Sequence, residues 1–315
     1  MAKSFVNELR ITNYASPTSQ GDNTHVTPPH RLRPTTWKNV PEETVLAEIA
    51  TAGYDGAPAA PREGRTAQDL VHLYAAHGLS PAPGYLSGDF WDAAQADSIL
   101  ARAKDYARFA KAVGCTELYV AASGFNWVTP RGLTRRQVAG HVKPGDALSD
   151  AQFRQFADTL NRVGEITLAS GVRSCFHNHV GTVIETGEEV DRLFALLDPD
   201  LVFMGPDTGH LAWAGVDVVS FCRDYADRIL TMHIKDIDPN VLAQGVAAEW
   251  DYGQFSDNGV FTELGLGFVD FPTVFDILDK AGFDGWLIVE TDVTQQETAY
   301  ESARMSRAYL RSIGI

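Results

Sequence analysis

No apolar run in this chain approaches the roughly 18 residues that a membrane-spanning helix needs. The start, Met1-Ala2-Lys3-Ser4-Phe5-Val6-Asn7-Glu8-Leu9, lacks the apolar stretch of a secretory leader. Cysteine is scarce: Cys115, Cys175 and Cys222 are odd in number, far apart and set in apolar surroundings. They read as reduced core residues of a cytoplasmic protein, not as a disulfide framework. Positive charge is short too, 26 Lys+Arg against 41 Asp+Glu, for a net charge of −15. A surface that acidic repels phosphate backbones and anionic lipid, which argues against nucleic acid and membrane as partners. A Gly-rich turn after the first predicted strand is also missing, and with it the usual mark of an open dinucleotide-binding sheet.

The 315 residues, 44% of them hydrophobic, instead carry a repeated unit: an amphipathic helix, a Gly or short turn, then an apolar strand. Apolar spacing predicts helices at 43–52, 66–76, 93–113, 149–169, 188–197, 217–225, 271–281 and 296–312. Gly53, Gly114 and Gly282 stand where they end, and Ser149 and Thr186 where two begin. Strands are predicted within 5–14 and at 54–59, 79–86, 117–122, 173–176, 201–204, 229–234 and 286–289. Eight strands alternating with helices predict a parallel sheet closed into an α/β (β/α)8 TIM barrel, one domain over 1–315. Two long loops interrupt it, one at 15–40 with His25 and His30, the other at 238–267. The first reads as a functional or mobile segment.

Residues at strand C-termini converge on one mouth of such a barrel. Those positions hold Asn13 and Tyr14, then His177 and His179, Asp207 and His210, His233 and Lys235, and Glu290 and Asp292. Four of the nine histidines fall between Cys175 and Asp236. His177, Asp207, His233 and Glu290 make a mixed N/O set of the kind that takes a divalent metal, Mn2+ first, with Co2+, Zn2+, Fe2+ or Mg2+ behind it. His179, His210 and Lys235 stand beside them as candidates for acid, base and electrostatic clamp. The plainer role for Lys235 is a salt bridge to Asp236 or Asp238, and for Glu185 a cap on the next helix. Trp37, Trp91, Trp127, Trp213 and Trp250 fall on loops after strands, as substrate wall or as core.

Several phrases resemble the xylose isomerase-like barrels, the sugar phosphate isomerase/epimerase superfamily, and within it the inosose (2-keto-myo-inositol) dehydratases. They are His177-Asn178-His179-Val180-Gly181-Thr182, Glu185-Thr186, Asp207-Thr208-Gly209-His210, Ala214-Gly215, His233-Ile234-Lys235-Asp236, Gly259-Val260-Phe261 and Gly285-Trp286-Leu287-Ile288-Val289-Glu290. The resemblance implies metal ligands at His177, Asp207, His233 and Glu290, and catalytic roles for His179, His210 and Lys235. It also brings a departure: most relatives carry Glu where this chain has His177. Epimerases of the group exchange a proton between two carboxylates. With one of them replaced by His, one-sided proton abstraction and β-elimination on a keto-cyclitol or ketosugar is the expected reaction. Related barrels act as the larger subunit of enzymes that cleave 3-oxo-glycosides, carbon-linked ones included. The segment 16–39 departs from the dehydratase pattern, which keeps that substrate class open, with a homo-oligomer or a small second subunit as partner. The rivals are a metal-dependent isomerase or epimerase, a barrel endonuclease for abasic sites, and a binding protein. The acidic balance opposes the endonuclease.

Overall fold

The computed structural model describes Trp37 and residues 40–315 in full, and residues 10–13 by their backbone. Tyr14, the Asn13 side chain and nearly all of the segment 15–40, His25 and His30 included, lie outside the described residues.

The predicted apolar strands pair side by side and in parallel. β1 (Arg10–Asn13), β2 (Gly56–Pro58), β3 (Ser80–Ala82), β8 (Met232–Ile234) and β11 (Trp286–Val289) form one sheet in the order β3-β2-β1-β11-β8. β4 (Tyr85–Gly88), β5 (Glu117–Ala122), β6 (Arg173–His177) and β7 (Val202–Met204) form the other. Two seams join them. β3 and β4 are the halves of the predicted 79–86 strand, which bends at Gly84: a Cβ there would come 2.3 Å from the Ala59 carbonyl oxygen. Across the other seam, parallel bridges link Met204 to Ile229 and Asp207 to His233. Counting β3 and β4 as one stave, eight staves close a barrel, as predicted.

Helices wrap it because each has one apolar face. α4 (Asp150–Leu168) buries Phe153, Phe156, Leu160 and Val163, spaced three and four apart. Each such side chain contributes about 1.5–3 kcal/mol when fully buried. Its start is a capping box: Ser149 accepts the Gln152 N–H, and Gln152 accepts the Ser149 N–H. The same device opens α2 (Ala67–Ala76) through Thr66 and Asp69, and α5 (Gly187–Phe194) through Thr186 and Glu189. α3 (Ala96–Val113) ends at Gly114, whose φ of 88° suits glycine. α1 (Glu42–Ala52), α7 (Val218–Asp224), α10 (Phe271–Lys280) and α11 (Ala299–Ser312) lie near their predicted positions.

One expectation fails, and one helix is new. Residues 238–267 are not a plain loop. They hold α8 (Pro239–Ala247), α9 (Tyr252–Asp257) and β10 (Phe261–Thr262), which pairs antiparallel with β9 (Asp236–Ile237). And the residues after Asp207 form a short helix, α6 (Thr208–Trp213), with Asp207 as its N-cap.

Inside the barrel, Ala82, Tyr119, Trp286 and Ile288 pack as a separate small core. Tyr119 meets Thr231 hydroxyl to hydroxyl at 2.6 Å, and Thr231 donates to the Trp286 carbonyl. The Tyr119 ring in turn lies edge-on to His233 at 4.4 Å and His177 at 5.7 Å. The floor of the barrel therefore fixes two side chains of its mouth.

Candidate active site and metal centre

β6 ends in His177, the turn after β7 in Asp207, β8 carries His233, and Glu290 follows β11. All four are buried. His177, Asp207 and His233 each offer one ligand atom, and those atoms lie within 4.8 Å of one another. Glu290 stands behind this trio, its Oε2 taking the His233 Nδ1 at 2.9 Å. Among the described residues, the buried His177 Nδ1 has no hydrogen-bond partner and Asp207 Oδ2 accepts no hydrogen bond, although the Lys235 ammonium is 3.2 Å away. Buried polar atoms left in that state cost free energy, so their convergence needs a chemical reason.

A second trio, His179, His210 and Asp292, lies beside the first. The rings of His179 and His210 sit 3.7 Å apart. His179 Nδ1 donates to the Val180 carbonyl at 2.7 Å, which leaves the lone pair on Nε2. His210 receives the Val180 N–H on Nδ1 and turns Nε2 to Lys235 Nζ at 3.1 Å. Burial lowers the pKa of all three imidazoles His177, His179 and His210, that of His179 to about 4, so they stand neutral at ordinary pH.

Lys235 binds the two trios together. Its ammonium lies 2.9 Å from Asp292, 3.2 Å from Asp207 and 3.3 Å from Glu290. The salt bridge to Asp236 or Asp238 is absent: Asp236 accepts the N–H groups of Gly265, Gly267 and Val269, and Asp238 caps α8. Passage of the Lys235 chain requires Gly209, where a Cβ would come 2.6 Å from Lys235 Cγ. Burial alone would neutralise Lys235, but the three carboxylates hold its pKa well above the usual value. Burial would likewise raise Glu290, yet Lys235 and the His233 bond keep it well below the carboxylate range. At Asp292 burial prevails and pushes the pKa to about 8.

Glu185 does not cap the following helix; Thr186 does. Its carboxylate accepts the Gly181 and Gly140 N–H groups, each at 2.7 Å, and tethers the turn after His179 to the loop after β5. Arg135, wholly buried, forms a two-pronged pair with Glu189 at 2.7 and 2.9 Å and stands 3.7 Å from Glu185. Trp37, Trp91 and Trp213 are core, and Trp127 and Trp250 are half-buried. The aromatic rings against His179 are instead Phe125 at 5.5 Å and Tyr252 at 6.0 Å, neither singled out by the sequence. An Asp251-x-x-Gln254 capping signal could have put Tyr252 at a helix start.

Comparison with known proteins bears on this mouth. The family described as xylose isomerase-like TIM barrel matches residues 46–312. An inosose dehydratase of Geobacillus kaustophilus (strain HTA426) is 32% identical over 279 residues, 85% of this chain and 86% of that protein. Another, of Geobacillus thermodenitrificans (strain NG80-2), is 29% identical over 273 residues, 85% and 88% of the two chains. Among solved structures, the apo 3-keto-D-glucoside 4-epimerase of E. coli superposes with a TM-score of 0.64 at 16% identity, covering 97% of this chain and 100% of that one. The IOLI protein with a binding zinc atom gives 0.61 at 16% identity, covering 86% and 91%.

Proposed function

This chain belongs to the xylose isomerase-like TIM barrel family, and from that premise we propose that it is a divalent-metal-dependent lyase acting on a keto-cyclitol, with the reaction of an inosose dehydratase. The inosose dehydratases it resembles over most of their length support the substrate class. The observation that carries the reading is the buried pair of trios under Lys235, with His177 Nδ1 unsatisfied among the described residues.

The donor set suits a metal. His177, Asp207 and His233 would hold it, with Glu290 as the fourth ligand. Two imidazoles with carboxylate oxygens favour Mn2+, Zn2+, Co2+ or Fe2+ over Ca2+. Mn2+ is the ion we assign first. A zinc-binding protein of the same fold agrees with a divalent site but does not choose among ions. When bound, the ion supplies Lewis-acid polarisation of the substrate ketone, which acidifies the neighbouring C–H.

The chain's own groups do the rest. His179, neutral and with its lone pair on Nε2, removes the α-proton. Lys235, fully charged, holds the negative oxygen that develops. The proton for the departing hydroxyl comes from the Lys235 ammonium, against which the neutral His210 sets its Nε2. His177 takes the place where an epimerase has its second carboxylate, so abstraction is one-sided and elimination follows. A 3-oxo-glycoside, with an aglycone leaving in place of water and a small second subunit as partner, is the second reading; the segment 16–39, whose sequence departs from the dehydratase pattern, favours it.

Metal removal is the test. EDTA-treated protein should lose activity on 2-keto-myo-inositol and regain it with Mn2+ or a neighbouring divalent ion. Full activity in protein that holds no metal by elemental analysis would falsify the reading.

A further inference from the structure

α9 opens with Tyr252, and the barrel's loops collaborate to fix its ring. Trp213 stacks on it at 5.0 Å and 26°. His179 lies nearly parallel at 6.0 Å and 22°, and Phe125 meets it edge-on at 5.1 Å. The Arg136 guanidinium is 5.7 Å from the ring centre. Gly181, at φ 82°, lets the turn after His179 lie against both rings: a Cβ there would come 2.8 Å from Phe125 and 3.3 Å from Tyr252. The helix start is itself held, by the Asp251–Gln254 capping box and by His141 Nε2 at 3.0 Å from the Trp250 carbonyl. Residues after β5, β6, β7 and β9 thus converge on one phenol.

Packing alone explains the ring but not the hydroxyl. No hydrogen bond among the described residues involves it. Burial, and then the Asp292 carboxylate, hold the phenol's pKa well above its ordinary value, so it remains a donor. The other charges acting on it belong to Lys235, Glu290 and Asp207, the groups of the candidate site. His179 and Trp213 stack against the ring and Arg136 lies over it, so the oxygen is the part left to meet a ligand.

We propose that Tyr252 contacts the substrate, its hydroxyl donating a hydrogen bond to one oxygen of a polyhydroxylated ring seated beside Lys235 and Asp292. The proposal rests on the keto-cyclitol reading and adds a residue that selects among hydroxylation patterns.

The test uses Tyr252→Phe, which keeps the ring, and Phe125→Leu, which disturbs the ring's packing but keeps the hydroxyl. Binding of myo-inositol and of a series of monodeoxy-inositols is measured by calorimetry on the metal-loaded enzyme. Turnover of 2-keto-myo-inositol is followed alongside. Tyr252→Phe should weaken myo-inositol by about 10- to 100-fold, the loss expected when a buried acceptor is left unpaired. For one deoxy compound, the one lacking the contacted oxygen, wild type and Tyr252→Phe should bind alike. Phe125→Leu should show no such position-specific pattern. A change of no more than about twofold for every compound, a uniform loss across the series, or no inositol binding by wild type overturns the proposal. Elimination by wild type together with an unaffected Tyr252→Phe would remove this contact and leave the lyase reading standing.

Discussion

Lys235 is one ammonium among three carboxylates, out of reach of bulk water. Replacing it with Met keeps the volume and strands Asp207, Glu290 and Asp292 together. Losing one partner of a buried ion cluster costs about 3–5 kcal/mol. Lys235→Met, compared with wild type in chelator, should therefore show a clearly lower denaturant midpoint; an unchanged midpoint would mean that the carboxylates do not need this cation. At this scale the sequence shows positions better than partners. Strand-end placement alone picked out His177, Asp207, His233 and Glu290, and they do meet or adjoin. The plainer alternative for Lys235, a pair with Asp236 or Asp238, does not hold: those two are near in sequence, while Asp207, Glu290 and Asp292 are near only across the closed barrel. Glu185 was misread for a similar reason: the capping signal next to it is carried by Thr186 and Glu189, and its own amide partners come from two loops.

Among elements, the ones with strong local rules were legible. Helices with an apolar stripe and a capping box, such as α2, α4 and α5, lie where their spacing puts them. α6 has six residues, too few for periodicity to register. α8 and α9 carry start signals, Asp238-Pro239 and Asp251-x-x-Gln254, but both helices are short and α8 fully buries only Gly245, which weakens their pattern against that of a long loop. The tether between the β5 loop and the turn after His179 has a pH signature. Burial pushes Glu185 to about 7 despite Arg135 and two amide donors. Its folded form thus binds the proton more tightly than the unfolded form. Its contribution to stability is full at low pH and declines as pH rises from the ordinary carboxylate range through about 7. Glu185→Gln should flatten that decline in unfolding midpoints taken between about pH 5 and 7. The same slope in both proteins would place the titration elsewhere.

For the whole molecule, barrel closure follows from unit count and strand pairing, and the family match over residues 46–312 agrees with it. The bend between β3 and β4 was hidden, since it depends on how near Ala59 comes to Gly84. Among the described residues no helix is long and apolar enough to cross a membrane. All three cysteines are free and buried; burial raises Cys175 well above the usual thiol range and Cys222 to about 12. Native protein at about pH 8 should resist thiol reagents until it is unfolded, when all three react; quick labelling of any one in the native state would show that the core opens there.

The mouth of this barrel is read as a site that takes a proton from one side of a ring and expels a neighbouring hydroxyl. The mass of the product formed from 2-keto-myo-inositol by the metal-loaded enzyme tests that most directly. The account predicts a product lighter by one water. A product of unchanged mass, rearranged or epimerised, would contradict it.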